Sequence, residues 1–222
     1  MALTDYTRTQ LIKRSIMMTI GVLIMGLGVA ISKLALLGTT PISTIPAVLS
    51  FATTLTIGTW TILFNILIIA LEIAILGRKS TDITTFLQMV VAILLGIFTD
   101  LGVEIFSGIV SADNYALQWA WCIIACIVLA FGVNIEIHAN LLVAPGDGMV
   151  MALKLRNPGI PFSRLKVFFD SSNVIIAAII SLILMGELNG VREGTVFAAI
   201  AVGIILGRWN KLIGPFLDRI VS

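Results

Sequence analysis

Three side chains that can bind and release a proton lie within or beside apolar stretches of the chain: Glu136, His138 and Asp147. Glu136 and the chain's single histidine belong to the run NIEIHAN at 134–140, which ends a long apolar stretch. An imidazole titrates near neutral pH, and ionisable groups at membrane depth usually face a protein interior or a water path. These three residues are therefore the candidates for proton coupling. The alternative for 134–140 is a polar helix end at the lipid headgroups.

Asp147 lies between Gly146 and Gly148, and glycines let a backbone approach a ligand closely. The surrounding segment, VAPGDGMVMALKLRNPGIP at 143–161, has a counterpart in GTTPISTIPAVLSFATTLTI at 38–57. Each segment has a proline, a polar residue suited to start a helix (Ser43 or Asp147), and then a short apolar run. We predict a short broken or re-entrant helix in each segment. The alternative is a pair of helices lying at the membrane interface.

Polar residues within the apolar stretches complete the predicted site. Asn65 and Asn173 lie near mid-bilayer, where an amide either contacts a ligand or bonds helix to helix. Glu72 and Asp170 each need a partner, a proton or water, and Arg164 and Lys166 are both close enough in sequence to pair with Asp170. The predicted substrate-binding set is Ser43, Thr44, Asn65, Glu136, Gly146, Asp147, Gly148 and Asn173. No catalytic residue, metal site or cofactor is predicted.

The elements that must position these residues are membrane-spanning helices. The chain is 59% hydrophobic and 12% charged, which leaves too little polar surface for a soluble domain. About 20 apolar residues are needed to cross the hydrocarbon layer. Runs of that kind occur at 16–37, 58–76, 83–101, 117–133, 167–185 and 196–213. The sequence therefore predicts an all-α polytopic membrane protein with six transmembrane helices, in a single membrane domain over 1–222.

Basic residues indicate how these helices are oriented. Most Lys and Arg residues fall into clusters at 8–14, 78–79, 154–166 and 208–219, which are alternate connections. Basic connections stay in the cytoplasm, whereas the connection between the third and fourth spans carries Glu104 and Asp113 and no basic residue. We predict a multi-pass protein of the bacterial inner membrane with both termini cytoplasmic.

The two broken segments belong to an internal repeat. Sliding the chain so that Gly28 meets Gly132 also aligns Pro41 with Pro145. The further identities are Val29 with Val133, Ile31 with Ile135, Ala35 with Ala139 and Leu37 with Leu141. The halves would cover about 12–107 and 116–214. Because each half holds three spans, they would enter the membrane from opposite sides as a 3+3 inverted repeat, an arrangement common in transporters.

The same two segments carry a family resemblance. With TTPISTIPAVLS at 39–50 after the first span and APGDGM at 144–149 after the fourth, the chain resembles the YczE/YyaS/YitT-type bacterial integral membrane proteins. The resemblance implies an inner-membrane protein of a kind often described as a permease. It supplies no functional residues to carry over.

The leading hypothesis is a small secondary transporter or permease whose site lies between the two broken segments. The alternatives are a substrate-binding membrane subunit of a multicomponent transporter, and a non-transporting membrane scaffold or regulator. We expect no enzymatic activity, no cofactor and no nucleic-acid binding. The expected partners are the lipid bilayer and a small-molecule solute, and a homodimer or another membrane partner stays open.

The small residues of the spans lead to two structural predictions. The GxxxG spacing of Gly203 and Gly207 predicts close helix packing within the molecule. Cys122 and Cys126 are predicted to be buried small side chains.

Overall fold

The protein is built from helices in the computed structural model, which describes residues 6–77 and 83–221. The helices of the described chain are α1 (Arg8–Leu34), α2 (Thr44–Ala52, entered through a 3₁₀ turn, Pro41–Ser43), α3 (Ile57–Leu76), α4 (Ile83–Phe106), α5 (Tyr115–Ala139), α6 (Pro145–Arg156), α7 (Phe162–Met185) and α8 (Glu193–Val221). Of these, α1, α3, α4, α5, α7 and α8 are long and apolar enough to cross a membrane. The predicted all-α multi-pass membrane protein is confirmed. The basic pair at 78–79 lies outside the described residues.

Most ends of the spanning helices lie beyond the apolar runs that predict them, although α1 ends at Leu34, before the end of its run. α1 begins at Arg8 rather than at residue 16, because Thr7 caps it. The hydroxyl of Thr7 accepts the backbone N–H of Gln10 at 3.3 Å, and the Gln10 side chain accepts the N–H of Thr7 at 3.1 Å. This reciprocal capping box satisfies amides that would otherwise lack partners. Hydropathy therefore locates the part of a helix inside the hydrocarbon layer, and the caps set its ends.

Helices α1 and α5 are the most buried spans and cross at the centre of the bundle. Glycine brings their backbones together. A Cβ built on Gly28 would lie 2.8 Å from the nitrogen of Leu129, and a Cβ on Gly132 would lie 2.6 Å from the nitrogen of Met25. The repeat that aligns Gly28 with Gly132 also aligns Met25 with Leu129. The same contact is therefore made twice, as a two-fold axis between the halves requires.

The outer helices follow the same symmetry. α4 packs on α1 as α8 packs on α5, and α6 packs on α3 as α2 packs on α7. Exchanging the halves turns each of these contacts into another, so the predicted 3+3 repeat with two short helices is confirmed. One contact departs from it. α3 packs tightly on α4, where Gly58 meets Gly96, but α7 makes no comparable contact with α8 in the part of the chain that the structure describes.

The two short helices are packed inside the bundle. The residues of α2 from Thr44 to Val48 are buried, and so are most residues at the start of α6. Both helices contribute to one apolar cluster with α3 and α7, formed by Ile45, Val48, Phe64, Ile68, Met149 and Ala177. This packing favours broken helices within the bundle over helices lying on its surface.

The two predictions about small side chains have different outcomes. Cys122 and Cys126 are free and buried in α5, as predicted. The prediction that Gly203 and Gly207 pack within the molecule is wrong, because no described atom lies within 4 Å of a Cβ built at either position. α7 stays away from this side of α8, so the glycines lie on the outer surface beside the exposed Ile200.

Candidate functional site at the start of helix α6

Helix α6 begins near the end of the bundle where α1 starts and α8 ends. Arg14 near the start of α1 donates to the carbonyl of Ala139 at 2.9 Å and to that of Val221 at 3.4 Å. The start of α1 and the ends of α5 and α8 are therefore together, and we call this the terminal end. α6 starts at Pro145, a residue suited to the first helical position because it has no N–H to satisfy. Its first turn, with Gly146 and Gly148, is buried.

A buried polar pair lies directly against this first turn. A Cβ built on Gly148 would lie 2.7 Å from Nε2 of Gln88 and 2.8 Å from Oε2 of Glu72. Gln88 on α4 donates through Nε2 to Oε1 of Glu72 on α3 at 3.2 Å. Oε2 of Glu72 and Oε1 of Gln88 have no hydrogen-bond partner among the described residues. Because Gly148 has no side chain, Glu72 and Gln88 can lie directly against the backbone of the first turn of α6.

Glu136 approaches the same turn from α5. Its side chain is 4% exposed, and the backbone N–H of Ala144, the residue before α6, donates to it. Its Oε1 atom has no partner in the described chain. Asp147 is close enough to repel its charge. A charged carboxylate is unfavourable in this position, because one of its oxygens is buried away from water and accepts no hydrogen bond from the described residues.

Asp147 pairs with lysine instead of capping the helix. The predicted cap is wrong: Ala144 occupies the N-cap position of α6, and Asp147 lies within the first turn. Its carboxylate accepts from Nζ of Lys166 on α7 at 2.8 Å, and the same nitrogen lies 3.6 Å from Asp170. The local pair predicted between Lys166 and Asp170 is therefore present. Lys166 also bridges α7 to α6, which the sequence reasoning missed.

These side chains form one charged group, which we call the α6 cluster: Glu72, Gln88, Glu136, Asp147, Lys166 and Asp170. It holds four carboxylates and one ammonium group. The amides at the start of α6 offset part of the negative charge, because a helix N-terminus carries a partial positive charge. No three Asp, Glu, His or Cys side chains of the described residues come together as they would around a metal ion. The chemistry that the cluster can carry is the binding and release of protons.

The first half of the repeat has hydroxyl groups where the second half has charges. Ser43 and Thr44 occupy the places of Asp147 and Gly148, and both bond within their own turn. Thr40 donates to the Ser43 hydroxyl at 3.1 Å, and Thr44 donates to the carbonyl of Pro41 at 2.6 Å. Ser32, which corresponds to Glu136, donates to the carbonyl of Gly38 at 3.2 Å. The two halves share a backbone plan, but the carboxylates at positions 136 and 147 have hydroxyl groups as their counterparts in the first half.

The starts of the two short helices meet at an apolar contact. A Cβ built on Gly146 would lie 2.5 Å from Cδ1 of Ile42. Beyond that contact, the buried apolar cluster of α2, α3, α6 and α7 fills the space between the short helices. In this conformation Ser43 and Thr44 therefore do not share an open polar cavity with Gly146, Asp147 and Gly148.

Asn65 and Asn173 have matching local environments. Each is buried, and each side chain donates at 2.9 Å to the carbonyl four residues earlier, Thr61 or Phe169. Bonds of this type tie a side chain to its own helix. The two asparagines therefore occupy equivalent places in α3 and α7, as the repeat predicts, and use their amide N–H groups locally.

His138 lies apart from Glu136. Its Nδ1 is 2.6 Å from Asp218 and its Nε2 is 2.8 Å from Asn210, both on α8. Two residues along a helix are about 200° apart around the axis, so His138 faces α8 while Glu136 faces α6. The structure does not bring them together as a proton relay, and His138 joins α5 to α8.

Comparison with known proteins supports the resemblance drawn from the two motifs. A family model described as "Family of unknown function (DUF6198)" matches residues 12–211, which include every transmembrane helix in whole or in part. The chain belongs to this family. The description of the DUF6198 family names no activity. The chain is also 26% identical over 150 residues to a Bacillus subtilis (strain 168) protein described as "Uncharacterized protein YyaS".

The match to YyaS covers 67% of this chain and 73% of that protein. It confirms the YyaS-type relationship proposed from the sequence. No solved structure matches the chain significantly. For this DUF6198 protein, the comparisons therefore support membership of the family, while the site has to be argued from the contacts of its own residues.

The residues of the α6 cluster that the sequence reasoning missed carry a recognisable signal. Gln88 lies within an apolar span, and sequence reasoning passed over it because it is uncharged. Glu72 stood out as needing a partner, but no spacing rule connects it to Gln88 or to Gly148. Pairs of polar residues within apolar spans of a DUF6198 chain are thus candidates for a shared site, and the fold decides which of them meet.

Proposed function

We propose that the protein is a small secondary transporter that couples the movement of a solute to protonation of the α6 cluster. One observation carries the proposal. Glu72 and Glu136 are each 4% exposed, each has an oxygen without a described partner, and both lie at the start of a helix that begins inside the bundle. Intramembrane carboxylates in such positions are typical of proton relays in transporters.

The physical basis is the cost of burying charge. An ionised carboxylate without full hydrogen bonding is unfavourable in a medium that excludes water. Glu136 can reach a stable state either by taking a proton or by gaining a partner, such as water or a solute group. A conformation that opens the α6 cluster to water would favour release of the proton. Proton occupancy and conformation are then linked, which is what a coupled transporter needs.

An inverted repeat allows the bundle to adopt two alternative conformations. In inverted repeats, one half moves against the other around a site near their interface, and the two ends of the bundle open in turn. Here α1 and α5 form that interface. Because Glu136 and Asp147 have no acidic counterparts in the first half, the acidic α6 cluster lies near one end of the bundle only. We propose that solute passes between the short helices once the apolar contact of Ile42 and Gly146 separates. The proposal implies no enzymatic chemistry and no cofactor.

We further propose that the terminal end faces the cytoplasm of a bacterial cell, in the inner membrane. The basic residues of 8–14 and 154–166 support this orientation, because basic connections are retained in the cytoplasm. Single cysteines at Asp113 and Asn157, in a chain with Cys122→Ala and Cys126→Ala, test it. A membrane-impermeant reagent added to whole cells should label position 113 and not position 157. The reverse pattern would overturn the orientation.

A proton-flux assay tests the transport proposal. The purified protein is placed in liposomes that enclose a pH-sensitive dye, and panels of organic acids, amino acids and sugars are added outside. At least one solute should move protons with the parent protein. Glu136→Gln and Glu72→Gln should abolish that movement, because an amide cannot exchange a proton in this pH range.

Glu104→Gln is the matched control, since Glu104 is an exposed acid on α4. It should behave like the parent. Proton movement that survives in both Glu136→Gln and Glu72→Gln would contradict the proposal, and so would folded protein that moves no protons with any panel. Solute binding without any flux would favour the substrate-binding subunit instead. Absence of both binding and flux would favour the scaffold or regulator.

A further inference from the structure

A second site lies at the end of the bundle opposite the α6 cluster. A cavity of about 420 Å³ opens there, between the end of α1, the end of α2, the start of α5 and the connection from α7 to α8. Both halves of the repeat therefore contribute to its wall. Ligand pockets for small molecules commonly have volumes of about 300–1,000 Å³, so the cavity is large enough to hold a small organic molecule.

Two cationic side chains, Lys33 and Arg192, line the cavity. Arg192 is held in place by the carbonyl of Leu36 at 2.8 Å and by Glu193 at 3.0 Å, which also offsets its charge. Lys33 has no carboxylate within ion-pair distance among the described residues. The acid that attracts it over a longer distance is Asp100.

Asp100 is occupied by other groups. It accepts from the hydroxyl of Thr56 at 2.5 Å and from the backbone N–H of Gly58 at 2.8 Å. The ammonium group of Lys33 instead lies 5.4 Å from the centre of the Phe51 ring. The positive charge of Lys33 is thus oriented by an aromatic ring, and an anion in the cavity could pair with it directly.

An unpartnered hydroxyl group points to the same ligand chemistry. Thr39 lines the cavity and is 1% exposed, and its Oγ1 atom has no hydrogen-bond partner in the described chain. A buried hydroxyl without a partner is costly. It can donate to an oxyanion that the two cations attract. The lining of the cavity also includes the apolar side chains of Phe51 and Met185.

We propose that this cavity binds a small organic anion, with its carboxylate at Lys33, Arg192 and Thr39 and its apolar body against Phe51 and Met185. The proposal that the cavity binds this anion does not require the protein to be a transporter. The proposal that solute enters or leaves through the cavity rests on the proposed function, and it identifies the solute class as monocarboxylates. An oxyanion could also come from a lipid headgroup, so the experiment separates the two sources.

Binding is measured by isothermal titration on protein in neutral detergent, with no proton gradient. The probes are monocarboxylates from acetate to octanoate and benzoate, each paired with its neutral primary amide. At least one acid should bind at least about tenfold more tightly than its amide, the range expected for loss of a charge-assisted contact. Lys33→Gln should remove that preference, and Thr39→Val should weaken acid binding more than amide binding.

Lys211→Gln, an exposed lysine on α8, is the matched control and should leave binding unchanged. Thermal unfolding without ligand confirms that each variant is folded. Equal affinity for every acid and its amide would overturn the inference. So would Lys33-dependent stabilisation by phosphatidylglycerol in nanodiscs when no monocarboxylate binds, since the occupant would then be a lipid headgroup. The outcome is independent of proton flux, so failure here and failure of the transport proposal are distinguishable.

Discussion

Leu36 and Asn140 share a left-handed backbone, with φ of 55° and 45°, at positions that the internal repeat superposes. They are the non-glycine residues with positive φ in the described chain. Each follows the end of a central span and turns the chain towards a short helix. Asparagine tolerates this conformation better than leucine does. The two halves thus keep one backbone plan even where their side chains differ.

This relationship predicts opposite effects of exchanging the two residues. Leu36→Asn should raise the free energy of unfolding by about 0.5–1 kcal/mol, because it relieves left-handed strain. Asn140→Leu should lower it by about 1–2 kcal/mol. Unfolding in detergent measures both. Leu55→Asn is the control, since Leu55 is similarly exposed but has no positive φ. A loss of stability in Leu36→Asn would contradict the argument.

The helix crossing predicts which glycines are essential. Gly28→Ala and Gly132→Ala should each lower the free energy of unfolding by about 1–3 kcal/mol, because a methyl group would overlap the facing backbone. Gly203→Ala and Gly207→Ala should be neutral or stabilising by up to about 1 kcal/mol, because alanine favours the helix and space is open there. Thermal unfolding of the four variants makes the comparison. Similar losses at all four positions would show that α8 is packed against something within the folded protein.

Much of the fold could be predicted because hydropathy and the repeat act over long stretches. The six spans follow from runs of apolar residues, and the equivalence of the two halves follows from identities such as Gly28 with Gly132. Contacts between distant side chains could not be predicted. Gln88 meets Glu72 because α3 and α4 pack closely, and the glycine at 148 leaves them room beside α6.

Two errors have the same physical origin. Asp147 has the composition of a helix cap, and Gly203 with Gly207 has the spacing of a packing motif. In the structure Ala144 takes the cap position, because Pro145 starts the helix, and α7 lies away from the glycines of α8. A local sequence pattern indicates which roles a residue is able to take. The residues that surround it in the folded protein determine which of these roles it has.

Asp147 provides a test of its pairing with Lys166. Because Asp147 is not a cap, Asp147→Asn and Asp147→Ala should lose similar stability, without the about 0.5–2 kcal/mol difference that a cap would produce. A double-mutant cycle with Lys166→Gln should give a coupling energy of about 1 kcal/mol or less, because both side chains are more than one third exposed. A much larger loss in Asp147→Ala than in Asp147→Asn would restore the capping role.

Glu136 provides the test of the buried charge. At pH 8, Glu136→Gln should raise the free energy of unfolding by about 1–3 kcal/mol, because the amide can still accept from Ala144 and removes a carboxylate with an unpartnered oxygen. At pH 5 the gain should shrink, since a protonated Glu136 is neutral as well. Glu104→Gln should stay within about 0.5 kcal/mol of the parent at both pH values. Chemical unfolding in detergent gives all of these values. If Glu136→Gln were no more stable than the parent at pH 8, Glu136 would not be carrying an uncompensated charge, and the proton-coupling role would have to rest on Glu72 alone.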